Sequence, residues 1–166
     1  MSQDKLQANK DIVERWFKAF WGNPADLSII EELLAPNGLV HYPMHGPIRG
    51  HEAVRKMMTD FREAFPDLNF WGTSPLIAEG DYVVGRWDGG GTHTGPAFAD
   101  LPVGALPAAS GRKVRFTGTT VFRIENGKIV EEIGEEGALL ALQQLNLVNQ
   151  PNESYLALYE VDKKSA

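Results

Sequence analysis

The chain has 166 residues, 43% of them apolar and 23% charged, and it contains no cysteine. That fits one globular domain with a sizeable core, and it excludes disulfides, thiolate metal sites, iron–sulfur clusters and a cysteine nucleophile. Sixteen basic residues against twenty-two acidic ones give a net charge of −6, which argues against nucleic acid or an anionic membrane as the main partner.

Leu6, Ile12, Val13, Trp16, Phe17 and Phe20 recur at three- and four-residue steps. The spacing predicts an amphipathic helix, ended by Gly22 and Asn23. Asn23-Pro24 predicts the start of a second helix, because Asn caps well and Pro suits a first turn. Its buried stripe is Ile29, Ile30, Leu33 and Leu34, and Pro36 stops it. A short strand is expected at 39–42. A third helix is expected at 51–65, with Val54, Met57, Met58, Phe61 and Phe65 on one side and Pro66 as its stop. The remainder reads mainly as strand. Runs at 68–78 and 81–93 are joined by Glu79-Gly80, and runs at 112–124 and 128–136 by Asn126-Gly127. Asn-Gly is the strongest short hairpin signal, since both turn positions need positive φ. Between the pairs lies 95–111, a long loop rich in Gly, Pro and Ala, and loops of that length are often functional. Residues 138–146 predict a short helix.

Residues 1–150 therefore read as a single domain. Residues 151–166 read as a C-terminal tail whose Tyr155, Leu156, Leu158 and Tyr159 suit docking. Helices followed by a meander imply an α+β fold, with the helices on one face of an antiparallel sheet and a pocket between them. The first twenty residues are charged throughout, which speaks against a signal peptide, and the longest charge-free late run is too short and polar to span a bilayer. The expected location is the cytoplasm.

Several motif readings fail on inspection. The stretch Gly89-Gly90-Gly91-Thr92-His93-Thr94-Gly95 fits neither phosphate-binding glycine pattern, and it ends a strand without opening a helix. His41 and His45 are four apart, but Pro43 between them implies an extended chain, which would separate them by roughly 13 Å, too far for one metal. No G-x-S-x-G elbow is present.

Five segments in order resemble one family: Phe65-Pro66-Asp67-Leu68, Gly80-Asp81-Tyr82-Val83-Val84, Gly91-Thr92-His93-Thr94-Gly95, Asn126-Gly127-Lys128-Ile129-Val130-Glu131 and Leu142-Gln143-Gln144-Leu145. Together they resemble the SnoaL-like polyketide cyclases, or ester cyclases, of the NTF2-like superfamily, over about residues 8–147. The resemblance implies a cone: three N-terminal helices packed in a strongly curved antiparallel sheet, with a short C-terminal helix. It also implies a hydrophobic pocket in the cone, a sheet-mediated oligomer, expected here to be a homodimer, and no metal or organic cofactor. The founding cyclases close a ring by an aldol step, using an aspartate four residues beyond a tryptophan after the last strand. Laid on Ile129-Val130-Glu131-Glu132-Ile133, the tryptophan position is Ile133 and the aspartate position is Gly137, which carries no proton-transfer group.

Glu135 and Glu136 precede that vacancy. An unbroken Asn-Gly hairpin pairs Phe122 with Glu131 and Thr120 with Ile133, so strand alternation puts Glu135 on the pocket face. A desolvated carboxylate there is a candidate acid/base; the plain alternative is a solvated strand end. His93, at the rim of the 95–111 loop, is the other candidate catalyst, or else a histidine bonded to loop backbone. Candidate substrate-binding residues are Trp16, Phe20, His41, Trp71, Trp87, Phe122 and Ile133, each with a simple core role as its alternative. Asp67 reads as a turn or cap residue, and Arg123 and Glu131 as a surface pair.

Three functions remain open. The first is a cyclase or isomerase abstracting a proton from a small, mostly apolar carbonyl compound. The second is a non-catalytic binder of such a ligand. The third is an oligomeric scaffold with a filled pocket.

Overall fold

The computed structural model describes residues 3–149, so the tail expected to dock lies outside the described residues. Helix α1 spans Gln3–Trp16 and runs on into a π-helical turn, Phe17–Trp21. The Gly22 amide there donates to the Phe17 carbonyl five residues back, at 3.1 Å. Next come α2 (Ile29–Leu33), β1 (Leu34–Tyr42), β2 (Gly46–Arg49) and α3 (His51–Ala64). Strands β3 (Asn69–Gly72), β4 (Ile77–Glu79), β5 (Tyr82–Thr92), β6 (Lys113–Glu125) and β7 (Lys128–Glu136) lead to α4 (Ala138–Gln144).

Helix α2 is shorter than Asn23-Pro24 predicts. The side chain of Asp26, not Asn23, takes the first free amide, accepting from Ser28 N at 3.0 Å, so the helix begins beyond it. Strand β1 begins at Leu34 and passes through Pro36, where its register with β7 shifts between Leu34 and Leu39. A proline is tolerated at such an irregularity because no ladder amide is needed there.

The fold class is α+β with a curved sheet, in the order β2-β1-β7-β6-β5-β3, and β4 also pairs with β5. The sheet is mixed and not purely antiparallel, because β1 and β7 run parallel. A parallel pair needs a long crossover, here everything from β2 to β6. Helices α1 and α3 fill the concave side. Val54, Met57, Met58, Phe61 and Ala64 make the buried stripe of α3, and Val13 and Trp16 belong to that of α1. Each large apolar side chain fully buried this way contributes about 2 kcal/mol. No helix among the described residues is long and apolar enough to cross a membrane.

The β6–β7 hairpin decides which residues see the interior. Asn126 and Gly127 form the expected turn with φ of 50° and 74°, and Glu125 pairs with Lys128. Ile124 then pairs with Ile129, but Arg123 pairs with Glu131, so Val130 is an extra residue on β7. One extra residue exchanges the two faces beyond it. Phe122 therefore pairs with Glu132 and Thr120 with Gly134, which puts Glu132, Gly134 and Glu136 on the concave side. The expected pairing of Phe122 with Glu131 and of Thr120 with Ile133 is corrected by that single insertion.

Candidate functional site

Glu132 is fully buried on β7 and carries three hydrogen bonds from three different elements. Trp16 Nε1, from α1, donates to Oε2 at 2.8 Å. Trp21 Nε1, from the π-helical turn, donates to Oε1 at 2.7 Å. The hydroxyl of Tyr42, from β1, donates to Oε1 at 2.7 Å. Trp16 and Trp21 are five residues apart, a spacing that an α-helix would splay by more than a quarter turn. The π-helical turn brings both indoles onto one carboxyl, as such turns often do at functional sites. Burial pushes the Glu132 carboxyl up to about 7, against the opposing pull of its three hydrogen bonds. Beyond Tyr42, the Thr120 hydroxyl lies 2.9 Å from the phenol oxygen and accepts from Trp87 Nε1 at 2.9 Å. Two glycines make room for these rings. A Cβ at Gly134 would lie 2.1 Å from the Tyr42 ring, and one at Gly118 would lie 2.2 Å from the Trp87 ring.

Glu136 faces a narrow inner recess that it shares with Trp21, Tyr42, His45, Phe61 and Trp87. The recess has room for about one water molecule. The carboxyl accepts from the Met44 amide at 2.8 Å. Burial raises its pKa, only partly offset by that amide and by His45. His45 is itself held by Asp100, with Nδ1 2.8 Å from the carboxylate, and its ring packs edge-on to Phe61.

A larger cavity of about 460 Å³ opens between the end of α1 and the β3–β4 connection. Its walls include Phe17, Phe70, Trp87 and Phe122, with Trp71 at the β3 side. Phe17, Phe70 and Trp87 also line the inner recess, so three aromatic side chains form the partition between the two spaces. An apolar cavity of this size suits a small organic ligand.

The expected site residues divide. Trp71, Trp87 and Phe122 meet at the larger cavity. Trp16 and Phe20 are fully buried and stack on each other at 4.3 Å, so they support the site from the core and do not line either space. Glu135 and Ile133 are exposed on the convex face, as the extra residue at Val130 requires; their expected place on the pocket face is corrected. His41 pairs with Ile133 and lies on that same outer face. His93 is fully buried, away from both spaces. Its Nε2 donates to the Pro96 carbonyl at 2.8 Å, and its Nδ1 accepts from the Ser110 hydroxyl at 2.8 Å, so it ties down both ends of the 95–111 loop. Asp67 sits in the turn after α3, one of its two expected roles, and its carboxylate accepts from the Thr92 amide at the end of β5 at 2.6 Å.

Glu132, Glu136 in its interior position, Tyr42, Trp21 and the His45–Asp100 pair were not singled out by sequence. The available signal was two acidic pairs, Glu131-Glu132 and Glu135-Glu136, on one strand, with two tryptophans five apart, but neither shows which glutamate of each pair turns inward.

The family model of the SnoaL-like polyketide cyclases matches residues 11–145. None of the curated proteins searched matches this chain. Among solved structures, a SnoaL-like protein from Jannaschia sp. CCS1 is 21% identical, with a TM-score of 0.72, covering 90% of this chain and 99% of its own. IdmH from Streptomyces antibioticus, assigned to the polyketide cyclases, is 24% identical, with a TM-score of 0.65 and coverage of 83% and 98%. A protein of ketosteroid isomerase-like fold from Catenulispora acidiphila DSM 44928 is 18% identical, with a TM-score of 0.63 and coverage of 83% and 94%. These structures share the NTF2-like fold, and the family match extends over most of the chain: the protein belongs to the SnoaL-like polyketide cyclase family.

Proposed function

We propose that the protein binds a small, mostly apolar carbonyl compound in the aromatic cavity, that the reacting end of the compound passes the aromatic partition at Phe17 and Phe70 into the inner recess, and that Glu136 there moves a proton on it without a cofactor. The observation that carries this reading is the place of Glu136. Its carboxyl faces the inner recess, beside His45 and one residue before the position where the family keeps its aspartate. A carboxylate with a raised pKa is a stronger base than an ordinary one, and its protonated form is the matching acid for the return step. Glu136 would take a proton from the carbon next to the carbonyl. The electron pair of that C–H bond passes to the carbonyl oxygen, giving an enolate. The enolate then recovers a proton or attacks a second carbonyl carbon to close a ring.

The test is deuterium exchange at the carbon beside the carbonyl of small ketones in heavy water, followed by NMR. Glu136→Gln should slow exchange by about a hundredfold or more while leaving the ketone's thermal shift intact. Unchanged exchange in the variant removes Glu136 from the chemistry.

The glycine at 137 favours a second reading, a non-catalytic binding protein. A side chain there would meet nothing closer than 3.5 Å, so the vacancy is not forced by packing. Saturable binding with no exchange in the wild type supports that second reading. We also propose that two copies pair through the convex face of the sheet.

A further inference from the structure

The hydrogen bonds around Glu132 have fixed directions. An indole N–H can only donate, so Trp16 and Trp21 must donate to the carboxyl and Trp87 must donate to Thr120. With Glu132 ionised, the two remaining protons fall into line. The Thr120 hydroxyl donates to Tyr42, and the Tyr42 hydroxyl donates to Glu132. The chain then runs one way, from Trp87 through Thr120 and Tyr42 to Glu132.

A protonated Glu132 breaks that order. Its proton goes to the Tyr42 oxygen, and Tyr42 must turn its own proton onto Thr120. The Thr120 oxygen already accepts from Trp87, which cannot reverse. The Thr120 hydroxyl hydrogen loses its partner, and Trp87 must share its acceptor. The disturbance therefore ends at Trp87, a wall of both the recess and the larger cavity.

We propose that Glu132 is a positioning residue for the pocket, setting how firmly the Trp87 indole is held at the wall through Tyr42 and Thr120. The groups facing Glu132 are Trp16 from α1, Trp21 from the π-helical turn, Tyr42 from β1, and Phe122 and Thr120 from β6; Glu136 follows on its own strand. Among the described residues, no cation acts on its carboxyl. Its charge is thus balanced by donors alone, and two of those donors, Trp21 and Tyr42, are walls of the recess. The consequence for ligand affinity rests on the pocket reading above, whereas the relay does not.

The experiment follows the indole N–H signals of ¹⁵N-labelled protein, without ligand, from about pH 5 to about pH 9. Trp16, Trp21 and Trp87 should move through one shared transition, while Trp71, outside the cluster, should not follow it. In Thr120→Val, Trp16 and Trp21 should still move and Trp87 should not. In Glu132→Gln the transition should vanish from all three. A Trp87 signal that stays still in the wild type, or still moves in Thr120→Val, overturns the relay. If Glu132→Gln does not fold, the nearly isosteric Thr120→Val decides the matter alone.

A second measurement uses 2-acetylnaphthalene, a flat apolar ketone, as a quencher of tryptophan fluorescence. Thr120→Val should weaken its binding about fivefold, the worth of one lost neutral hydrogen bond. Equal affinity overturns the positioning role. A wild type that does not bind this ketone, yet whose Trp87 titrates, counts against the pocket reading and leaves the relay standing.

Discussion

Glu132 holds two opposed demands in one side chain. Its three donors favour the ionised form, and its complete burial favours the neutral one; burial wins, so the folded pKa stands at about 7 against an ordinary 4.5. The sign of the resulting pH dependence follows. Between those two values the folded state holds a proton that the unfolded state has lost, so stability falls as pH rises through that window. The loss amounts to about 3 kcal/mol once pH exceeds the folded value. Glu136, also raised by burial, adds in the same direction. Urea unfolding at a series of pH values should show this decline in the wild type and a much flatter line in Glu132→Gln. An equally steep decline in the variant would assign the slope to other groups. None of this was readable from residues 128–136 alone. The sequence offers Glu131-Glu132 and Glu135-Glu136, and strand alternation requires one of each pair to turn inward, but which one depends on the extra residue at Val130, which pairs with nothing on β6.

Elements were more legible than faces. The Asn126-Gly127 turn, the third helix with its stripe from Val54 to Phe61, and the long strands β5 and β6 follow from local signals that the fold obeys. Val130 had no such signal, because a bulge is one extra residue and leaves no mark on composition. The parallel partnership of β1 with β7 was equally hidden, since nothing local in either strand names a partner so distant in sequence. The 95–111 loop is long, as expected, yet well secured. Phe98 and Leu106 exchange backbone hydrogen bonds, Phe98 stacks on Phe61 at 5.7 Å, and His93 joins Pro96 to Ser110. His93→Ala should cost about 2 kcal/mol through two lost hydrogen bonds and a small cavity. It should also speed amide exchange within 95–111 while strands β5 and β6 keep their protection. Unchanged exchange in the loop would show that Phe98 and Leu106 hold it by themselves.

For the molecule as a whole, the same inserted residue that turned Glu132 inward turned Ile133 outward, where it completes an apolar row. Ile77 pairs with Val84, Val84 with Val121, Val121 with Ile133, and Ile133 with His41, so one line of side chains crosses five strands on the convex face. Ile77 is 70% exposed, Val121 40% and Ile133 39%. Around them stand the paired charges Arg123–Glu131 and Arg115–Asp88. An apolar band with a charged rim is the usual form of a surface that meets a partner. A second copy is the natural occupant of a sheet face, because a twofold axis through the row sets each residue against its own counterpart or a near neighbour. Light scattering should give the mass of a dimer for the wild type, and a monomeric mass would contradict the proposed pairing. Val121→Lys puts a charge in the middle of the row and, across the axis, close to its own copy. It should weaken the dimer tenfold or more, about the cost of burying an unpaired charge at an interface after relaxation. Because Val121 faces outward, the unfolding midpoint of the dissociated chain should stay close to that of wild type measured at equal dilution.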